Sequence, residues 1–265
     1  ESLGIRLFER KAGLFVPASE ADTIFEMVHQ VYRQMENLNT AVASLQKGED
    51  VGLAFASAPS IAQFIAARVV RGVRNRFPDL FIDLNILKIE ETVDYLLLDR
   101  GEFVVMSSPI DNSALDNELL ARGRLVVIVA DDHPLAAKFA ISVHDLEGED
   151  FIGVDPDDPY GALLAKPFRD AGITLRYAMR GRFAQTVVSF VRHGLGVALI
   201  DEFSVAEVYM PGVTRRPLVE RAEITAWVVT RKGRHLSSFA EYTIERFRRE
   251  MATAIARDSW DAPQC

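Results

Sequence analysis

A chain of 265 residues has room for one large domain or two modest ones, and 49% hydrophobic with 26% charged residues is ordinary globular composition. No apolar run reaches the roughly 18 to 20 residues of a membrane span, and no basic stretch followed by an apolar core marks a secretory signal. The net charge of −8 excludes a surface that is basic overall, and the lone Cys265 excludes an internal disulfide or a cysteine-built metal site.

These features point to a cytoplasmic protein with no membrane partner. The opening stretch, ESLGIRLFERKAGLFVPA, mixes apolar residues with a local basic cluster of Arg6, Arg10 and Lys11. Residues 19–48 then read as one helix. Ile24, Val28, Val31, Met35, Leu38, Val42 and Leu45 recur at alternating spacings of four and three, which is the seam of a coiled coil. Ser19 with Asp22 suits the start of that helix and Gly48 its end. An amphipathic helix packed on its own domain is the other reading. The narrow seam and the polar flanks (Arg33, Gln34, Glu36, Asn37) favour a dimerising linker.

Beyond residue 50 the pattern changes to strands alternating with helices. Residues 51–57 read as a buried strand, a helix runs from Pro59 to about Phe77, and Pro78 breaks it. Residues 80–89 alternate as a strand, 91–99 form a short helix, and 103–109 give a third strand running into a polar loop. Such alternation builds a right-handed parallel α/β unit. A second unit follows: 125–136 read as a strand and then a loop, 151–161 as a strand, an acidic turn and a helix start at about Pro159, 174–180 as a strand, 185–193 as a helix, and 194–201 as a turn followed by a buried strand. Residues 223–230 add one more strand and 234–257 a closing helix; the tail 258–265 has little to order it. Two such units joined by crossing strands leave a cleft at the carboxyl ends of their strands.

The chain carries no nucleophile elbow, no phosphate-binding P-loop, and no histidine spacing that would hold a metal. His133 reads as a turn or capping residue. The turn containing Asp155, Asp157 and Asp158 precedes a helix, where a carboxylate can cap the helix or meet a cationic ligand. Neither catalytic groups nor a cofactor motif converge, so an enzyme is the weakest of three readings.

The order of motifs resembles the LysR-type transcriptional regulators. LGIRLFERKAGLFVPASEA looks like the end of their winged helix-turn-helix, through Leu3, Gly4, Leu7, Phe8, Arg10 and Pro17, although Ala18 and Ala21 stand where the family has Thr and Gly. The heptads, RFPD at 76–79, HPLA at 133–136, DLEGEDFI at 145–152 and VRHGLGVALI at 191–200 are similar as well. The resemblance implies a remnant of that DNA-binding domain at 1–18, with the recognition helix upstream of Glu1, and a dimerising linker at 19–48. It also implies two Rossmann-like α/β subdomains of the periplasmic-binding-protein type, at 51–128 with 230–257 and at 129–229.

By the same resemblance the cleft takes a small-molecule effector at Ser60, Ser107, Ser108, Asp155, Asp158, Tyr160, Phe183 and Gln185. The serines suit a carboxylate and the acidic turn an amine, so a carboxylate or an amino-acid-like metabolite is expected. Arg6, Arg10 and Lys11 would neutralise phosphates of double-stranded DNA without reading its sequence, and the chain would assemble as a dimer or tetramer. A two-lobed solute-binding protein with no DNA-binding role is the rival reading; it would have no use for the heptad linker.

Overall fold

The computed structural model describes residues 8–11, 14–17, 24, 27–28, 31–32, 35, 52–206 and 210–257. The chain divides into two compact units, residues 1–52 and 53–265. In the first, β1 (Phe8–Lys11) pairs antiparallel with β2 (Leu14–Pro17), Arg10 opposite Phe15 and Lys11 opposite Leu14. Arg6 lies outside the described residues. Ile24, Val28, Val31 and Met35 are helical, and Val28, Val31 and Met35 are each at least half exposed. The rest of the expected seam (Leu38, Val42 and Leu45) and the tail 258–265 also fall outside the described residues.

The second unit is a two-lobed α/β body threaded by one long strand. Its elements run β3 (Gly52–Ser57), α1 (59–76), β4 (Phe81–Ile86), α2 (Ile89–Leu97), β5 (Phe103–Met106) and β6 (Leu115–Ala130). After β6 come β7 (Phe151–Gly153), α3 (Pro159–Asp170), β8 (Tyr177–Arg180), α4 (Ala184–Arg192) and β9 (Ala198–Asp201). β10 (Val213–Pro217), β11 (Glu223–Arg231) and α5 (Ser238–Arg257) complete it. Helix α1 begins at Pro59–Ile61, passes through a π-helical turn at Ala62–Ala66 and continues over Ala67–Arg76. Such π turns insert a residue into a helix and recur at functional sites. No helix among the described residues is long and apolar enough to cross a membrane.

Sixteen residues give β6 a span of about 50 Å at ~3.3 Å per residue, enough to serve both lobes. Its first part pairs with β11, from Leu115 opposite Arg231 to Arg124 opposite Glu223, with an irregularity at Ala226/Trp227. Its second part pairs with β9, starting at Leu125 opposite Asp201, and on its other edge with β10. The sheet therefore changes partners between Arg124 and Leu125. One lobe continues from β11 through β5 and β3 to β4, with β3 and β5 parallel. The other continues from β9 through the Phe151–Val197 bridge to β7 and β8.

The first lobe buries Phe55 stacked on Phe103 at 4.9 Å, with Phe247 of α5 set edge-on against both. Aromatic burial of this kind supplies a large share of core energy and fixes ring orientation. Phe168 of α3 packs edge-on against Phe151 in the second lobe.

Several element boundaries differ from the sequence expectations. β6 begins ten residues before the apolar run at 125, over LDNELLARGR, because β11 provides partners that this polar segment does not advertise. The expected strand at 80–89 ends at Ile86, since Glu91 accepts from the Lys88 backbone N–H and starts α2 there. β10 was not expected; its Arg-Arg-Pro sequence is a poor strand signal. α5 starts at Ser238 rather than Arg234, because Ser237 is fixed by Glu102 and accepts from the Ala240 N–H.

Candidate functional site

The largest concentration of helix starts in the second unit lies between the two lobes. Strand β3 ends at Ser57, and the Ala58 N–H is held by the Val105 carbonyl at 2.8 Å, so Pro59 opens α1 beside the end of β5. Proline at this position has its φ preset and lacks only an N–H that the helix would leave unpaired anyway. Leu87 and Lys88 lead into α2. On the opposite lobe Asp158 caps α3, its Oδ1 accepting from the Tyr160 N–H at 2.9 Å, and Phe183 precedes α4 in extended conformation.

Together these segments line a cleft with a volume of about 70 Å³. One side is made by Ala58, Pro59, Ser60, Leu87, Lys88, Ile89, Glu90, Met106 and Ser107, the other by Asp158, Pro159, Tyr160, Arg182, Phe183 and Ala184. Four helix N-termini thus face one cleft. A helix N-terminus carries a partial positive charge that favours an anion, although at α3 Pro159 has no N–H and the Tyr160 N–H is already taken by Asp158. Lys88 and Arg182 add full positive charges, with the Arg182 guanidinium 5.5 Å from the centre of the Phe183 ring. The hydroxyls of Ser60 and Ser107 have no hydrogen-bond partner among the described residues, and Ser60 is buried.

Tyr160 presents its ring to the cleft but donates its hydroxyl inward to Oδ2 of Asp201. Asp201 is fully buried and also accepts from the Ser204 hydroxyl at 2.6 Å and the Ser204 N–H at 2.9 Å. Burial pushes the Asp201 carboxyl up from its ordinary value, against the opposing pull of these donors. Burial, then the Asp201 charge, holds the Tyr160 hydroxyl well above the usual tyrosine range.

Of the residues expected at the site, Ser60, Ser107, Asp158, Tyr160 and Phe183 line the cleft. Ser108, Asp155 and Gln185 are not among its lining residues. Asp155 is on the outer side of its turn, accepting from the Asp157 N–H at 3.2 Å and pairing with Arg180 at 3.3 Å. Gln185 crosses to the other lobe, donating to the Pro59 carbonyl at 2.6 Å. His133 caps a short turn by accepting from the Leu135 N–H, as expected. Sequence reasoning missed Lys88 and Arg182. Each stands directly beside a helix start, and Lys88 was read as the end of a strand.

Residues 47–252 match the family model described as the LysR substrate binding domain. The transcriptional activator protein LysR of Escherichia coli is 25% identical over 219 residues, covering 81% of this chain and 69% of that protein. Among solved structures, a C206 mutant of Corynebacterium glutamicum OxyR superposes with a TM-score of 0.66 at 18% identity, covering 96% of this chain and 81% of that one. The BenM effector binding domain with its effector benzoate gives 0.65 at 20% identity, covering 77% and 93%. These structures share the two-lobed fold. The sequence relatives are transcriptional regulators, which disfavours a free solute-binding protein. The family-model match spans well over half the chain, and with the fold it shows that the chain belongs to the LysR-type transcriptional regulators, residues 47–252 being its substrate binding domain.

Proposed function

We propose that the cleft between the lobes is the effector site of this regulator and that it takes a small carboxylate with an apolar body. The observation that carries this reading is that two unengaged serine hydroxyls, Ser60 and Ser107, line one cleft with Lys88, Arg182 and the starts of four helices. Leu87, Ile89, Met106 and the rings of Tyr160 and Phe183 would surround the body of the molecule. An amino-acid-like ligand fits less well. Asp155 stands outside the cleft and one oxygen of Asp158 is spent on its helix, leaving Glu90 as the main counter-charge to an amine.

In this reading the occupied cleft biases how the two lobes sit about β6 and β11, and the linker helices carry that change to the DNA-binding part. Arg10 and Lys11 on the β1–β2 hairpin, with Arg6, would neutralise phosphates of double-stranded DNA. Ile24, Val28, Val31 and Met35, with Leu38, Val42 and Leu45, would pair two chains, and the bodies would extend a dimer to a tetramer.

Thermal-shift screening of simple carboxylates against matched amines and zwitterions tests the ligand class, followed by titration of Ser60→Ala and Lys88→Met. A charge-assisted hydrogen bond contributes roughly 1.5–3 kcal/mol, so each variant should weaken the best carboxylate by roughly ten- to a hundredfold. Stabilisation by amines alone, or unchanged affinity in both variants, would overturn the reading.

A further inference from the structure

Asp201 touches the cleft only through Tyr160, yet it stands where the long strand changes partners between the lobes. It is paired with Leu125 on β6, and β6 exchanges its β11 pairing for β9 pairing between Arg124 and Leu125. The next residue, Glu202, accepts from the Arg124 N–H at 2.7 Å, so the backbone of Asp201 and the carboxylate of Glu202 both hold the strand where it passes from one lobe to the other. The short helical turn Glu202–Val205 that Asp201 caps is anchored beyond the hinge as well. Arg68 of α1 donates to the Ala206 carbonyl at 2.9 Å, and Arg215 of β10 to the Val205 carbonyl at 2.6 Å.

A carboxylate with no exposed surface is costly to keep unless its oxygens are fully engaged. Here both oxygens are engaged, and one of the three donors is the hydroxyl of a residue whose ring forms a wall of the cleft. A shift of the ring therefore moves or breaks its bond to Asp201, the residue paired with Leu125 at the β6 crossover.

We propose that Asp201 is a positioning residue that locks the Tyr160 ring in the cleft wall and transmits its displacement by a ligand to the β6 crossover. This coupling rests on the reading of the cleft as the effector site. Tyr160 is the contact and Asp201 the relay; Ser204 keeps the relay in place.

Trp227 lies on β11 at the pairing irregularity, on the strand whose Glu223 pairs with Arg124 at the crossover, and replacing Trp260 with Phe leaves it as the single tryptophan. In that background, titration with benzoate should change Trp227 emission. Tyr160→Phe keeps the ring and should still bind benzoate, measured by calorimetry, while losing most of the emission change. Asp201→Leu should lose it as well, whereas Asp201→Asn, which retains an acceptor for the hydroxyl, should restore much of it. A full Trp227 response in Tyr160→Phe would overturn the proposal.

A ligand-free measurement separates the relay from the effector reading. Amide hydrogen exchange at Ser204, whose N–H is held by Asp201, should be about tenfold faster in Tyr160→Phe, the loss expected for one hydrogen bond. Unchanged exchange would overturn the relay even if carboxylates bind. Faster exchange with no benzoate response in the parent chain would uphold the relay and count against the choice of ligand.

Discussion

The Gln185 carboxamide donates to the Pro59 carbonyl at 2.6 Å, joining the first turn of α4 to the first turn of α1 across the cleft. This is a direct bond between the two walls, placed beside Ser60 and Phe183. Replacing Gln185 with Leu should cost about 1 kcal/mol, the typical net contribution of such a bond. Gln185→Glu should cost more, because a carboxylate would then face a carbonyl oxygen. Urea midpoints of the three chains test the order; equal midpoints would show that the bond contributes nothing to holding the walls together.

Alkaline stability should fall earlier than in a protein whose tyrosines are all exposed. Burial pushes the Tyr95 hydroxyl up to about 12, and burial also raises Tyr160 and Tyr177. In the unfolded chain these groups ionise near about 10, so the folded protein retains protons that the unfolded chain releases. Their contribution is complete below about pH 10 and is lost as pH rises toward the folded values. Asp201, also raised, acts in the same sense at low pH: its contribution is present below about pH 4 and lost as pH rises through its folded value. Urea unfolding at stepped pH from 7 to 11 should show a shallower alkaline loss in Tyr95→Phe and Tyr160→Phe than in the parent.

Gly161 should resist replacement although it sits in a helix. Alanine normally stabilises a helix by about 1 kcal/mol over glycine. A Cβ at this position, however, would stand 1.9 Å from the Asp155 carbonyl oxygen, well inside contact distance. The turn from Asp155 to Asp158 would have to move, carrying two cleft residues, Asp158 and Tyr160, with it. Gly161→Ala should therefore destabilise by about 1–3 kcal/mol, as overpacked sites do, and weaken carboxylate binding. A raised urea midpoint would show that the turn yields without cost.

The sequence reveals this fold where apolar runs and proline punctuation coincide. The apolar runs within 51–57, 103–109, 125–136 and 223–230 announce the buried strands, and Pro59 and Pro159 mark helices that start at the cleft. Ser60, Ser107, Asp158, Tyr160 and Phe183 came from the resemblance to the LysR-type regulators, and they stand where ligands in open α/β sheets meet the ends of strands and the starts of helices. What stayed hidden depends on partners distant in the chain. The first part of β6 contains Asp, Asn, Glu, Arg and Gly, and only its pairing with β11, about a hundred residues later, makes it a strand. The inward turn of the Tyr160 hydroxyl is equally invisible, since Asp201 is 41 residues away and carries no motif of its own. Gln185 was legible as a residue near the cleft, but not as one bonded to the opposite wall.

The linker seam supplies the last expectation. Val28, Val31 and Met35 lie at heptad spacing on helical backbone and are 50%, 56% and 57% exposed in the single chain. Three large apolar side chains left in water on one stripe cost stability unless a second helix covers them, and burying each is worth roughly 1.5–3 kcal/mol. A charge placed on that stripe must be desolvated or expelled when two helices meet. Changing Val31 and Leu38 together to Asp should therefore reduce the sedimentation coefficient of the assembly while leaving the α/β body folded, as judged by its thermal transition. If Ile24, Val28, Val31 and Met35 instead packed only within their own chain, the double variant would lose stability and keep its oligomeric state. The two readings of the helix thus separate on a single measurement, mass in solution at fixed fold.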